Sequence, residues 1–245
     1  MTTSSAAWLR EVPLAHRGLH DADRPENSLA AFAAAASAGI GAELDVHLSA
    51  DGVPVVVHDR DLERVTGIRG LVDAWTSVDL GRLDFTEGGV PTLAQALDVL
   101  GDAPAMVEVK NLDTRAGALE PAVAEVLAGH RGPTCVASFN PDTLRWFRRN
   151  AADVARVLTA GGIFDPRVPA VLRWSLDTLR FFRMVRPAAV SYWVGGLEHR
   201  AVQRIRRHST VIAWTVASAD DLDRARRLAD NVIFEQLDVA AVRGG

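Results

Sequence analysis

Short apolar runs typical of strands alternate with helical segments along almost the whole of this 245-residue chain. The predicted strands lie at residues 12–15, 42–48, 106–110, 134–138, 155–159, 188–193, 211–216 and 231–234. Predicted helices between them include residues 29–38, 93–100, 118–128, 142–150, 174–185, 198–208 and 219–228. Because strands that alternate with helices form parallel sheets, eight such units predict an α/β fold, a (β/α)₈ TIM barrel. A doubly wound open sheet is the alternative.

One segment departs from this alternation. Residues 42–48 and 53–59 are two extended runs joined by a short turn that contains Asp-Gly. A parallel crossover needs a dozen or more residues, so the runs are predicted to pair antiparallel, as a β-hairpin extension after the second strand. A turn centred on residues 50–51 places His58 beside Glu43.

The chain shows no internal repeat and no change of composition that marks a linker. We therefore predict a single domain over residues 1–245. Residues 60–90 lack a clear hydrophobic periodicity of a helix or a strand. They are interpreted as a loop or small excursion over the barrel mouth.

Charge and cysteine content exclude several classes of protein. The net charge of −4 does not suit a nucleic-acid partner, since nucleic-acid-binding domains usually carry a basic excess. The single cysteine, Cys135, cannot form an internal disulfide, and residues 1–12 lack the pattern of an export signal. We expect a cytoplasmic protein without membrane contact, and its oligomeric state stays open.

Polar residues at the predicted strand ends form the candidate site. Glu43 and Asp45 lie two apart on one strand and share a face, and Glu108 and Lys110 do the same on the next strand. Three converging carboxylates repel one another unless a cation joins them. Oxygen ligands favour Mg²⁺ or Ca²⁺, and nearby imidazoles keep Mn²⁺ or Zn²⁺ as alternatives. A salt-bridge network with Arg17 and Lys110 is the structural alternative to a metal.

Lys110 is the one lysine among 27 cationic residues, which favours a specific need for a compact ammonium there. A metal, an arginine and a lysine in one place suit a phosphate, whose oxygens they can share. Two histidines, His16 after the first strand and His58 after the hairpin, fit acid–base catalysis on such a substrate.

Several motifs together resemble the glycerophosphodiester phosphodiesterase family. They are His16-Arg17-Gly18, Pro25-Glu26-Asn27-Ser28-Leu29, Glu43-Leu44-Asp45-Val46, Asp51-Gly52, Val57-His58-Asp59, Glu108-Val109-Lys110 and Trp214-Thr215-Val216. The resemblance runs from Leu14 to about Val216 in the family's order. Residues 234–236, Phe-Glu-Gln, depart from the Thr-Asp with which the family usually ends its last strand.

The resemblance implies a TIM barrel that cleaves a glycerophosphodiester to glycerol 3-phosphate and an alcohol. It implies a metal held by residues matching Glu43, Asp45 and Glu108. It further implies His16 and His58 as the acid–base pair, and Arg17 and Lys110 as phosphate contacts. Which histidine is the base, and whether water or a substrate hydroxyl attacks, stays open.

Two aromatic residues are candidate substrate contacts. Trp214 is predicted to pack against the glycerol moiety or to be plain core, and Phe139 is a second pocket candidate. The apolar, arginine-bearing segment 174–185 raises a lysophospholipase D-like activity on lipids as an alternative. A non-catalytic, phosphate-binding barrel is another. A glycoside hydrolase is disfavoured, because its two carboxyls must flank a sugar from separate supports.

Overall fold

The structure, a computed structural model, describes residues 6–83, 89–111, 117–163 and 168–244. The strands are β1 (Leu14–Ala15), β2 (Gly41–Leu48), β3 (Pro54–Val56), β4 (Ala105–Val109), β5 (Thr134–Ser138), β6 (Ala155–Ala160), β7 (Ala189–Trp193), β8 (Thr210–Val216) and β9 (Asn231–Phe234). The sheet order is β1-β9-β8-β7-β6-β5-β4-β2-β3, with a further pairing of β1 to β2. This is the strand order of a (β/α)₈ barrel with β3 outside the ring, and it confirms the predicted fold class.

Helices lie between most of the strands. They are α1 (Trp8–Glu11), α2 (Leu29–Ser37), α3 (Glu63–Thr66), α4 (Ser77–Leu80), α5 (Leu93–Leu100), α6 (Leu119–Gly129), α7 (Pro141–Asn150), α8 (Ala170–Asp177), α9 (Phe182–Val185), α10 (Arg200–Arg206), α11 (Ala219–Leu228) and α12 (Val239–Arg243). None of the helices in the described part of the chain is long and apolar enough to cross a membrane.

The chain divides into two compact units, Leu14–Thr134 and a second unit made of Met1–Pro13 with Cys135–Gly245. The prediction of a single domain stays a prediction. In the first unit, β2 pairs in parallel with β1 and β4, and α2 and α5 belong to the same unit. In the second unit, β6, β7, β8 and β9 follow one another in parallel register, and their buried side chains are mostly Val, Leu, Ile and Ala.

Two helices of the first unit begin directly after a capping residue. Ser28 accepts a hydrogen bond from the backbone of Ala31 at the start of α2. Thr92 and Gln95 form a reciprocal capping box at the start of α5. Each cap satisfies N–H groups that the first helical turn leaves without a partner, so the polar residue before each apolar run sets where the helix begins.

The antiparallel return of the hairpin is confirmed. Val46 lies opposite Val56, and Leu48 lies opposite Pro54. β1 is only two residues long and pairs with Gly41 and Ala42 at the start of β2. β3 pairs with the end of β2, which β1 does not reach.

The predicted register of the hairpin is wrong by one residue. Ser49 pairs with Val53, so the loop holds three residues, and Gly52 closes it at φ +79°. A three-residue hairpin loop commonly ends on a left-handed residue, and glycine adopts that conformation without steric cost. The Val57 N–H donates to the Asp45 carbonyl at 3.0 Å, so this register does not place His58 opposite Glu43.

Residues 60–83, predicted as loop or excursion, contain α3, α4 and a 3-10 turn at Val72–Ala74. The excursion packs on a small core that includes its own Leu62 and Leu80 and that it shares with Val57 of the hairpin. Residues 84–88 of the predicted excursion lie outside the described residues. The excursion is therefore a packed element, and its predicted position over the barrel mouth stays a prediction.

The predicted helix at 174–185 is wrong, because α8 ends at Asp177 and α9 begins at Phe182. Leu179 between them is buried and has φ +55°. The hydroxyl of Tyr192 donates a hydrogen bond to the Asp177 carbonyl at 2.9 Å, which satisfies an acceptor that a continuing helix would have used. Helices α1 and α12 had no counterpart in the prediction.

Candidate active site

Three carboxylates meet on the adjacent parallel strands β2 and β4. Asp45 lies opposite Glu108, and Glu43 is two residues earlier on β2, so the three side chains share a face. Their ligand oxygens lie within 4.8 Å of one another. All three residues are buried. This arrangement, hereafter the carboxylate group, can hold a metal ion, and its oxygen donors suit a hard divalent cation.

Two cations lie against the carboxylate group. The Lys110 ammonium is 2.9 Å from Asp45 Oδ1 and 2.5 Å from Glu108 Oε1. Arg17 approaches Asp45 with its Nε at 3.5 Å, and its backbone N–H donates to Glu43 Oε2 at 3.2 Å. The salt-bridge network that was the alternative to a metal is present. Two cations against three carboxylates still leave an excess of negative charge if all three acids are ionised.

The pKa values of the two β2 carboxyls are displaced in opposite directions. Burial, with the negative charges of Asp45 and Glu108, raises the pKa of Glu43 well above its usual range. Burial also acts to raise the pKa of Asp45, but the positive charges of Lys110 and Arg17, with a hydrogen bond from Asn27, outweigh it and hold that pKa far below the usual range. Glu43 is therefore the carboxyl that needs a proton or a further cation, which fits a bound metal.

The turn after β1 carries His16 and Arg17. His16 is half-buried and directly follows the strand. Arg17 has φ +55° and Gly18 has φ +80°. A Cβ on Gly18 would lie 2.8 Å from Ala31 Cβ, so only glycine lets the turn lie against α2. This close approach helps to fix the backbone that presents Arg17 to the carboxylate group.

Asn27 contacts the carboxylate group, and from the sequence it is identified only within the motif from Pro25 to Leu29. It is buried and has φ +56°. Its Nδ2 donates to Asp45 Oδ2 at 2.9 Å, and its Oδ1 accepts from the Asp45 N–H at 3.3 Å. Asparagine is one of the few residues that tolerate the left-handed conformation, and its place before the Ser28 cap was the available signal.

His58 follows β3 and pairs with its neighbour Asp59, with Nδ1 2.7 Å from Asp59 Oδ1. Burial, with the positive charges of Lys110 and Arg17, lowers the pKa of His58 against the opposing effect of Asp45. The ring is therefore mainly neutral near pH 7. Because a carboxylate only accepts, the ring proton lies on Nδ1 and leaves Nε2 as the acceptor.

His47, the other histidine of the hairpin, is buried, and its Nε2 is 3.0 Å from the His58 carbonyl. Because a carbonyl oxygen only accepts, His47 Nε2 donates this hydrogen bond. A cavity of about 300 Å³ lies beside Lys110 and His47, and Arg60, Asp73 and Asn111 also line it. Its polar walls and its volume suit a small polar ligand.

The two predicted aromatic contacts lie in the second compact unit and touch each other. Phe139 and Trp214 meet edge to face with ring centroids 5.5 Å apart. The indole N–H of Trp214 donates to the Ala160 carbonyl at 3.3 Å. Both rings are half-buried, and their part in substrate binding stays a prediction.

Comparison with known proteins places the chain in one family. Residues 16–239 match the model of the glycerophosphoryl diester phosphodiesterase family. The glycerophosphodiester phosphodiesterase of Caldanaerobacter subterraneus subsp. tengcongensis is 28% identical over 233 residues, which is 88% of this chain and 90% of that protein. The one of Bacillus altitudinis is 32% identical over 167 residues, which is 62% of this chain and 68% of that protein.

Solved structures show the same fold. A glycerophosphodiester phosphodiesterase from Thermotoga maritima superposes with a TM-score of 0.72 at 25% identity, over 91% of this chain and 94% of that one. A phosphodiesterase from Oleispira antarctica, solved with the product sn-glycerol-3-phosphate, has a TM-score of 0.80 at 24% identity over 94% of each chain. From the family match over most of its length, the chain belongs to the glycerophosphoryl diester phosphodiesterase family of phosphoric diester hydrolases.

Proposed function

We propose that this protein hydrolyses a glycerophosphodiester to glycerol 3-phosphate and an alcohol, with a divalent cation held by Glu43, Asp45 and Glu108. The observation that carries the proposal is the buried carboxylate group with Lys110 and Arg17 against it. Family membership supplies the reaction class, and the relatives' names supply the substrate class.

The donor set favours Mg²⁺ or Ca²⁺ over softer metals. When bound, such a cation would stabilise negative charge on the phosphoryl oxygens. The chain's own cations would share that work. Lys110 and Arg17 present N–H donors from two sides of Asp45, and a phosphate could meet both through different oxygens.

The two histidines would move the protons. Asp59 holds the neutral His58 ring with its proton on Nδ1, so Nε2 would accept a proton from the attacking hydroxyl. His16, on the turn after β1, would donate a proton to the departing alkoxide. This assignment gives His58 the basic role and His16 the acidic one. The 300 Å³ cavity beside Lys110 offers room for part of the substrate.

The test is release of glycerol phosphate from glycerophosphocholine and glycerophosphoethanolamine by the metal-supplied protein. Loss of a general acid or base typically costs about 10²- to 10⁴-fold, so His16→Ala and His58→Ala should fall in that range. His208→Ala removes an exposed histidine after α10 and should keep full activity. Wild-type protein inactive on both diesters would overturn the substrate class, and unaffected histidine variants would overturn their roles.

A further inference from the structure

Arg64 joins two carboxylates that come from distant parts of the chain. It lies on α3 in the excursion. Its Nη2 is 2.7 Å from Glu26 Oε1, its Nη1 is 3.0 Å from Glu26 Oε2, and its Nε pairs with Asp59. The planar guanidinium therefore uses all three of its nitrogens at once, a contact that a point charge such as an ammonium cannot reproduce.

Each of these two carboxylates also contacts a proposed site residue. Glu26 Oε1 accepts from Arg17 Nη1 at 2.9 Å, and Asp59 Oδ1 lies 2.7 Å from His58 Nδ1. One side chain in the excursion is thus connected to both Arg17 and His58, through one intervening carboxylate each.

We infer that Arg64 is a positioning residue, which orients His58 through Asp59 and Arg17 through Glu26. The inference rests on the proposed function, because it assigns Arg64 a role in that same site. It extends the site to the excursion after the hairpin, a segment whose role the sequence pattern left open.

Both carboxylates are ionised acceptors, as this role requires. Burial acts to raise the pKa of Glu26, but hydrogen bonds from Arg64 and the charge of Arg17 outweigh it and lower that pKa. Burial also acts to raise the pKa of Asp59, and hydrogen bonds from Arg64 and His58 lower it below its usual range. Neither acid is protonated near neutral pH.

The excursion holds Arg64 from a packed base. Leu62, just before α3, is fully buried in the excursion's core with Val72 and Leu80. Its N–H also donates to the Gly70 carbonyl at 2.9 Å. The Arg64 side chain itself is 49% exposed, and ion pairs at such positions contribute little to global stability. Its contacts are thus better suited to orienting side chains than to holding the fold.

The experiment compares Arg64→Met with Arg69→Met in the hydrolysis of glycerophosphocholine. Arg69 lies in the same excursion and pairs with Glu63 at 3.0 Å, but it is 88% exposed, and within the described residues neither side chain forms an ion pair with a proposed site residue. We expect Arg64→Met to lose kcat by about 10- to 100-fold through misorientation of His58, and to raise KM through Arg17. Arg69→Met should keep both constants, and both variants should keep the wild-type urea midpoint.

Two further variants separate the effect of Arg64 through Asp59 from its effect through Glu26. In Asp59→Asn protein, Arg64→Met should reduce kcat little further, because that path is already broken. In Glu26→Gln protein, it should raise KM little further. Arg64→Lys should lose less activity than Arg64→Met, since an ammonium reaches one carboxylate but not both. If the methionine variant is unstable, the lysine variant provides the same comparison.

Constants within twofold of wild type in Arg64→Met, or equal losses in Arg69→Met, would overturn the positioning role. It would also be overturned if the effects of Arg64→Met on kcat and KM were as large in the Asp59→Asn and Glu26→Gln proteins as in the wild type. Wild-type protein that releases no glycerol phosphate would instead overturn the proposed function, and the inference with it.

Discussion

The Lys110 ammonium lies 2.9 Å from Asp45 Oδ1, inside a group of buried carboxylates. Lys110 is the one lysine of a chain whose other cationic residues are arginines. A compact ammonium fits between Asp45 and Glu108, where a planar guanidinium would need more room. Asp45 in return raises the pKa of Lys110 against the effect of burial, so the lysine stays charged.

Replacement of Lys110 by methionine should destabilise the protein by about 3 kcal/mol. This is the lower end of the range for breaking a buried ion pair, and we choose it because the lysine side chain is 17% exposed. The loss leaves Asp45 and Glu108 without their shared cation. Urea unfolding without divalent metal measures this difference. A loss below about 0.5 kcal/mol, the scale of a neutral surface substitution, would show that the ammonium does not hold the carboxylates together.

Asn27→Ala should cost more stability than Asn27→Gly. Both variants remove the two hydrogen bonds to Asp45, and the one to its charged carboxylate is worth about 1.5–3 kcal/mol. Alanine must also adopt φ +56°, which adds about 1–2 kcal/mol that glycine does not incur. Urea unfolding of the two variants isolates the backbone contribution. Equal losses would contradict the role of the left-handed backbone.

Gly18→Ala and Gly52→Ala form a matched pair. Both glycines have positive φ, +80° and +79°, so both variants incur the same backbone cost of about 1 kcal/mol. A Cβ at Gly18 would lie 2.8 Å from Ala31 Cβ, whereas a Cβ at Gly52 would meet nothing within 4 Å. Gly18→Ala should therefore lose about 1–3 kcal/mol more, as expected for overpacking. Equal losses of stability in the two variants would mean that α2 moves away from residue 18 without cost.

Asp51 should make stability depend on pH in acid. Hydrogen bonds from Ser49 and Ser77 lower the pKa of Asp51 from 3.8 to about 2. Stabilisation by this carboxylate is complete above its unfolded pKa and disappears as the pH falls through its folded pKa. Asp51→Ala should therefore be less stable than wild type at neutral pH, and the difference in urea midpoint should shrink below about pH 4. A constant difference down to about pH 2 would contradict this link between hairpin and excursion.

The carboxylate group was predictable because strand geometry is regular. Two residues apart on β2, Glu43 and Asp45 had to share a face, and parallel pairing had to bring Glu108 alongside. Most helix and strand positions followed from the same periodicity. The register of His58 was not predictable, because a hairpin loop of two or three residues depends on whether Gly52 takes the left-handed conformation.

The supporting residues were beyond local pattern. Asn27 contacts Asp45, which is 18 positions away in the chain. Arg64 contacts Asp59, which is 5 positions away, and Glu26, which is 38 positions away. Such contacts are set by how the turn after β1 and the excursion pack, and no periodicity encodes that packing. The break between α8 and α9 was missed for a similar reason, since Tyr192 on a later strand supplies the hydrogen bond at the end of α8.

The most direct test of the central claim is glycerol phosphate release from glycerophosphocholine by EDTA-treated protein, followed by addition of Mg²⁺ or Ca²⁺. If the carboxylate group holds a catalytic divalent cation, activity should disappear in EDTA and return with one of these ions. Glu43→Gln should stay inactive under the same additions, because it removes a buried carboxylate of the group. Undiminished activity of the wild-type protein in EDTA would contradict the account.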